Sequence, residues 1–311
     1  MRFNPKADIS GGRVGDAGRG GGGGGGGMRL PIPGGTRAGG GIGGLIIIVL
    51  FIVLTQCVGG GGLPGGGSGN GIDPQGQGNP SGLDEDSERY DNCKTGADAN
   101  DDVDCARKAV AYSLETFWSE ALPDQGGTEF TPSQIITFSG GVDTGCGQAS
   151  SQVGPFYCPS DQKVFLDTTF FADVLEDQLG GQGGDFVEPY VLAHEYGHHI
   201  QNLLGTMGKV RTQEGPDSDA VRLELQADCY AGMWTRYAYD SDLITLDQDD
   251  ISEAVDAAKT VGDDRIQQKS GQGVDPEGWT HGSSEQRQAW FRTGYEEGTL
   301  EACDTFSASE L

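Results

Sequence analysis

The sequence predicts an α+β domain, mostly helical with a small sheet, preceded by one transmembrane helix. Three observations predict it. Apolar residues recur at helical spacing in several segments beyond residue 100, and two short runs rich in Ile, Val and Phe read as strands that do not alternate regularly with those helices. The third is an unbroken apolar run near residue 50. Of the 55 glycines in the 311 residues, 31 fall within the first 82 positions, so the globular part is residues 83–311, enough for one domain with a proper core.

Residues 1–38 read as a disordered basic arm. Arg2, Lys6, Arg13, Arg19, Arg29 and Arg37 face only Asp8 and Asp16, and eight consecutive glycines, Gly20 to Gly27, lose too much backbone entropy to fold. Residues 39–58 read as a transmembrane helix, because Leu45 to Leu54 is uninterrupted Leu, Ile, Val and Phe and the 20-residue span matches a hydrocarbon core of about 30 Å. A cleaved signal peptide fits less well with about 40 residues ahead of the run. Lipid attachment at Cys57 fits poorly with Gln56 before it. The positive-inside rule then puts the arm in the cytoplasm and the domain outside the cytoplasmic membrane, in a single-pass arrangement. Residues 59–82, built of Gly, Pro, Asn, Gln and Ser, read as a flexible linker.

Within the domain, Asp104–Leu122 is expected as a helix ending before Pro123, and Gln134–Phe138 and Lys163–Leu166 as strands, the second a candidate cleft edge for an extended peptide. Thr168–Leu179 is expected to be helical up to Gly180-Gly181. A helix from Pro189 to Leu204 should stop at Gly205, and another should run from Asp219 to Tyr239. The last begins at Ser283, where Ser283-x-x-Gln286 forms a capping box, and reaches Glu297. The patch Asp98–Asp104 is oxygen-rich like a calcium loop, but Val103 and Ala109 stand where such a loop needs Gly and Glu. A solvated turn and an acidic helix N-terminus account for it better.

The formal charge is −27, and removing the +4 of the arm leaves −31 on the rest, which argues against a nucleic-acid binder. Outside the apolar span, six cysteines remain, an even number that suits an oxidising compartment. They allow 15 pairings. The reading adopted is Cys93–Cys105, Cys146–Cys158 and Cys229–Cys303, two short staples worth roughly 3 kcal/mol each by chain entropy and one long tie.

His194-Glu195-Tyr196-Gly197-His198 is an H-E-x-x-H pattern inside an expected helix. Spacing by four puts both imidazoles on one face, where they can bind one metal, and Glu195 lies about 100° round, beside rather than on the ion. A third ligand is needed. Gln201 and Leu204 stand where a downstream third histidine would require Gly and His, so a Glu on the next helix is the other solution: Glu224, with Asp228 one turn later to receive an imidazole N–H. The expected chemistry is peptide hydrolysis by a zinc-bound water that Glu195 deprotonates, the proton passing to the leaving amine. His281 is proposed as oxyanion donor. His199 is taken as a non-ligand.

These residues carry a resemblance. His194–Gln201, Glu224–Gly232, Thr280–Arg287 and the opening Met1-Arg2-Phe3 before a Gly-rich arm and an apolar span resemble the bacterial neutral zinc metallopeptidase family, whose members are membrane-tethered. The resemblance covers essentially the full length and implies a zincin-like domain with Zn2+ on His194, His198 and Glu224 and a catalytic Glu195. The partners it implies are a peptide or protein substrate and the membrane, through one helix. Two alternatives stay open: a non-catalytic zinc-containing membrane-anchored binding protein, and a metal-dependent amide hydrolase of the cell envelope.

Overall fold

The computed structural model describes residues 1–19, 88–150, 153–271 and 273–311. The rest of the expected arm (20–38), the expected membrane helix (39–58) and the linker (59–82) lie outside the described residues. Among the described residues, no helix is long and apolar enough to cross a membrane.

The strands are β1 (Arg2–Phe3), β2 (Val14–Arg19), β3 (Gln134–Ser139), β4 (Gly141–Thr144), β5 (Gly147–Ser150), β6 (Phe156–Cys158), β7 (Lys163–Asp167) and β8 (Ile244–Thr245). The helices are α1 (Gly96–Asp101), α2 (Val103–Ala121), α3 (Val187–Leu203), α4 (Asp219–Asp240), α5 (Gln248–Thr260), α6 (Asp263–Lys269) and α7 (Ser284–Glu297). About half of the described chain is helical and the sheets are small, so the class is α+β. Helices α2, α3, α4 and α7 and strands β3 and β7 stand where the sequence puts them. Thr168–Leu179 does not: only Phe171–Glu176 makes a short helical turn, after Asp167 has taken the Thr169 N–H and hydroxyl at 2.8 Å.

The main sheet has the order β2-β3-β7-β6, with β2, β3 and β7 parallel and β6 antiparallel. This corrects the cleft-edge reading of Lys163–Leu166, because β7 is hydrogen-bonded on both sides and offers no free edge. The edges are β2 and β6.

A second correction concerns the disordered arm. Residues 1–19 are part of the domain: β1 pairs with β8 (Phe3 opposite Ile244), and β2 pairs with β3 (Val14 opposite Ile135). The burial of Phe3, Ile9 and Val14 stabilises this docking. The Arg13 guanidinium pairs with Glu115 on α2, and the Met1 ammonium lies 2.8 Å from Asp185 and 2.6 Å from Asp250. The segment 1–19 therefore shares a sheet with β3, β7 and β6.

The acidic patch 98–104 is spent on helix caps. Asp98 closes a capping box with Thr95 at the start of α1, and Asp102 caps α2 by accepting the N–H groups of Asp104 and Cys105. All three disulfides form as read from the sequence: Cys93–Cys105, Cys146–Cys158 and Cys229–Cys303.

The core gathers Trp118, Phe186, Tyr190, Trp234 and Phe291 where α2, α3, α4 and α7 meet. Helix α7 lies directly on α4 because glycines face its backbone: a Cβ at Gly294 would overlap the Cys229 carbonyl, and one at Gly232 the Phe291 carbonyl. Helices α3 and α4 cross at Gly197 and Ala227, where a Cβ at 197 would stand 3.1 Å from the Ala227 carbonyl oxygen. These two contacts set the distances at the site.

Candidate metal centre

The close crossing of α3 and α4 brings Glu224 against the two imidazoles of α3. Gly205 (φ 72°) ends the α3 segment and lets the chain turn back toward α4. His194 Nε2 lies 3.2 Å from Glu224 Oε2, and His198 Nε2 lies 3.5 Å from Glu224 Oε1. The two rings stand perpendicular with centroids 4.8 Å apart. One donor atom from each of these three residues lies within 4.8 Å of the others, and all three side chains are buried. Two imidazole nitrogens and one carboxylate oxygen converging in this way fit zinc with a position left open.

The proton positions favour ligation through Nε2. Asp228, wholly buried on α4, accepts His194 Nδ1 at 2.8 Å, the Tyr190 hydroxyl at 2.6 Å, and Arg287 Nε and Nη2 at 2.7 and 2.9 Å. A carboxylate only accepts, so the His194 proton sits at Nδ1 and the Nε2 lone pair faces the centre. Burial pushes the Asp228 carboxyl up, but Arg287 and His194 outweigh it and hold the pKa at about 2. Burial likewise acts to raise Glu224, and His198 and His194 beside it carry it well below the usual range.

Glu195 is buried in the same wall but outside the ligand set. Burial raises its carboxyl above the ordinary value, against the pull of His198 and His194, and the Tyr157 backbone N–H donates to it. The outer edge of β6 thus faces Glu195.

His281 enters from the loop before α7. Its Nδ1 meets the Thr280 hydroxyl at 2.9 Å and the Asp263 carboxylate at 3.4 Å. Asp263 also accepts the backbone N–H groups of Thr280, His281 and Gly282 at 2.7, 2.7 and 3.1 Å, which fixes this loop. The ring lies near the centre without belonging to the ligand group. His199 points elsewhere: Nε2–H donates to the Thr131 carbonyl at 2.6 Å and Nδ1 accepts the Tyr157 hydroxyl at 3.0 Å, tying α3 to β6.

The structure adds Arg287, Tyr190, Asp263 and the Tyr157 N–H to the residues read from the sequence. Arg287 lies in the Thr280–Arg287 motif, but spacing alone gave it no role. Tyr190 stands one helical turn before His194, which was a usable signal for a shared partner.

A sequence profile of the family described as "Putative neutral zinc metallopeptidase" matches residues 4–306. The chain belongs to this family. The uncharacterized protein Rv2575 of Mycobacterium tuberculosis is 50% identical over 228 residues, 70% of this chain and 76% of its own. The uncharacterized protein YpfJ of Escherichia coli K12 is 41% identical over 206 residues, 64% of this chain and 70% of its own. No solved structure matches the chain.

Proposed function

We propose that this metallopeptidase-family protein is a zinc-dependent endopeptidase that hydrolyses extended peptides, with a zincin-like arrangement of sheet and helix. The observation that carries the reading is the placement of Glu195: buried beside the three convergent donors, outside the ligand set, with a raised pKa.

His194, His198 and Glu224 would hold the zinc, and Asp228 and Arg287 keep His194 in the ligating tautomer. Bound zinc supplies Lewis-acid polarisation of a carbonyl and acidifies water. Glu195 takes a proton from the attacking water and hands it to the departing amine, and a raised carboxyl pKa suits a group that must both accept and release it. His281, whose Nδ1 is held by the Thr280 hydroxyl and the Asp263 carboxylate, is the ring offered to a developing oxyanion. Strand β6 lies against Glu195, and the Tyr157 backbone N–H holds its carboxylate in place. The apolar run Leu45–Leu54 supports attachment to a membrane, and three disulfides support an oxidising compartment for the domain.

The test is Glu195→Gln in the full chain, with zinc content and hydrolysis of an unstructured fluorogenic peptide measured together. The variant should keep its zinc and lose about 10²–10⁴-fold in rate. Zinc retained with an unchanged rate would overturn the reading.

A further inference from the structure

Gln201 is wholly buried on α3, one turn after His198, and Gln226 is 4% exposed on α4. His198 Nδ1 lies 2.8 Å from Gln201 Oε1. Gln201 Nε2 donates to the Leu223 carbonyl at 2.7 Å and to Gln226 Oε1 at 3.2 Å, and Gln226 Nε2 donates to the Cys303 carbonyl at 3.0 Å. The direction of this chain is fixed by its ends. Backbone carbonyls can only accept, so each amide must turn its NH2 toward Leu223 or Cys303 and its oxygen toward the metal centre. The Gln201 oxygen therefore requires a proton on His198 Nδ1, which leaves the Nε2 lone pair for the ion.

We propose that Gln201 and Gln226 are positioning residues of the metal centre and that the C-terminal tail is its outermost support. Gln201 holds both helices at once, gripping the imidazole of one ligand and the main chain of Leu223, next to the ligand Glu224. The far end is anchored twice. Cys303 is bonded to Cys229 on α4, and two residues later the Thr305 hydroxyl donates to the Arg222 carbonyl at 2.6 Å. The Arg222 guanidinium in turn binds the carbonyls of Thr305 and Ala308. His194 is oriented by a charged network ending in Arg287, and His198 by a neutral one ending in the tail. The proposal rests on the zinc reading above.

The experiment measures zinc affinity of the full chain by chelator competition, alongside melting of the zinc-free forms. Gln201→Leu should weaken zinc about 10–100-fold, and Gln226→Leu, which touches no ligand, by a smaller factor in the same direction. The wild-type protein supplies a readout that needs no variant: with zinc bound and histidines 15N-labelled, His198 should carry a slowly exchanging proton on Nδ1. Zinc bound through Nδ1 of His198 would overturn the proposal, as would Gln201→Leu binding within twofold of wild type. A wild-type chain that binds no zinc would instead overturn the functional reading, a separate outcome.

Discussion

Removing the Arg287 guanidinium tests the deepest electrostatic feature of the site. Arg287 is 3% exposed and Asp228 is 0% exposed, and two bonds of 2.7 and 2.9 Å join them. Two unit charges about 4 Å apart at an effective dielectric of 20 interact by about 4 kcal/mol. Deleting one member of a buried pair typically costs about 3–5 kcal/mol, because the other is left charged and dry. Arg287→Met preserves much of the volume while removing the charge, so its cost reports the pairing. For a domain of this size, that loss corresponds to a fall in melting midpoint of roughly 6–20 °C. Zinc affinity should fall as well, about 10–100-fold, since His194 loses the group that holds its partner. The assay is urea unfolding of the zinc-free protein for wild type, Arg287→Met, Asp228→Asn and the double variant, with zinc competition on each. The double variant should cost at least about 1 kcal/mol less than the sum of the singles. A loss below about 1 kcal/mol for Arg287→Met, or strict additivity, would refute the reasoning.

Three further outcomes follow from other contacts. Gly294→Ala forces α7 off α4 at the Cys229 carbonyl, so it should cost about 1–3 kcal/mol or more and weaken zinc by displacing Arg287, whereas an exposed Ala elsewhere on α7 should do neither. Burial raises Glu115 to about 7 despite Arg13. The native state thus binds the proton more tightly than the unfolded chain, and stability present below about pH 4.5 is lost as pH rises through about 7, on the order of 3 kcal/mol in all. Melting midpoints from pH 4.5 to 7.5 should fall more steeply for wild type than for Glu115→Gln. Finally, Ser10→Cys and Ser309→Cys, both at exposed positions, should react alike with an impermeant thiol reagent in intact cells, because residues 1–19 fold with the domain. Labelling of one site alone would contradict the pairing of β2 with β3.

What could be read from the sequence was what local spacing encodes. Histidines four apart fix a shared helix face, Asp228 falls one turn after Glu224, and Cys93 and Cys105 close a short loop. The final helix announced itself through Ser283 and Gln286, which form the capping box seen. Helix α5 was missed although Asp247 and Asp250 make a capping box of their own, because Ala254, Ala257 and Ala258 give a weak apolar stripe. Strand β6 is three residues long, too short for any alternation to show, although it forms the edge beside Glu195. Strand β2 contains Gly15 and Gly18 and two charges, and only a partner 120 positions later makes it a strand. Arg287 could not be placed because its partner depends on how closely α7 approaches α4, which two glycines decide by lacking side chains.

The docking of residues 1–19 also sets an order of events during synthesis. β1 pairs with Ile244–Thr245 and β2 with β3, so the segment leaves the ribosome long before anything it can pair with. At about 5–20 residues per second, the wait for β8 is roughly 10–50 s. Throughout it, Phe3 has no strand partner. The first strand made, β1, is placed after the ligand helices, whereas β2 can pair before them.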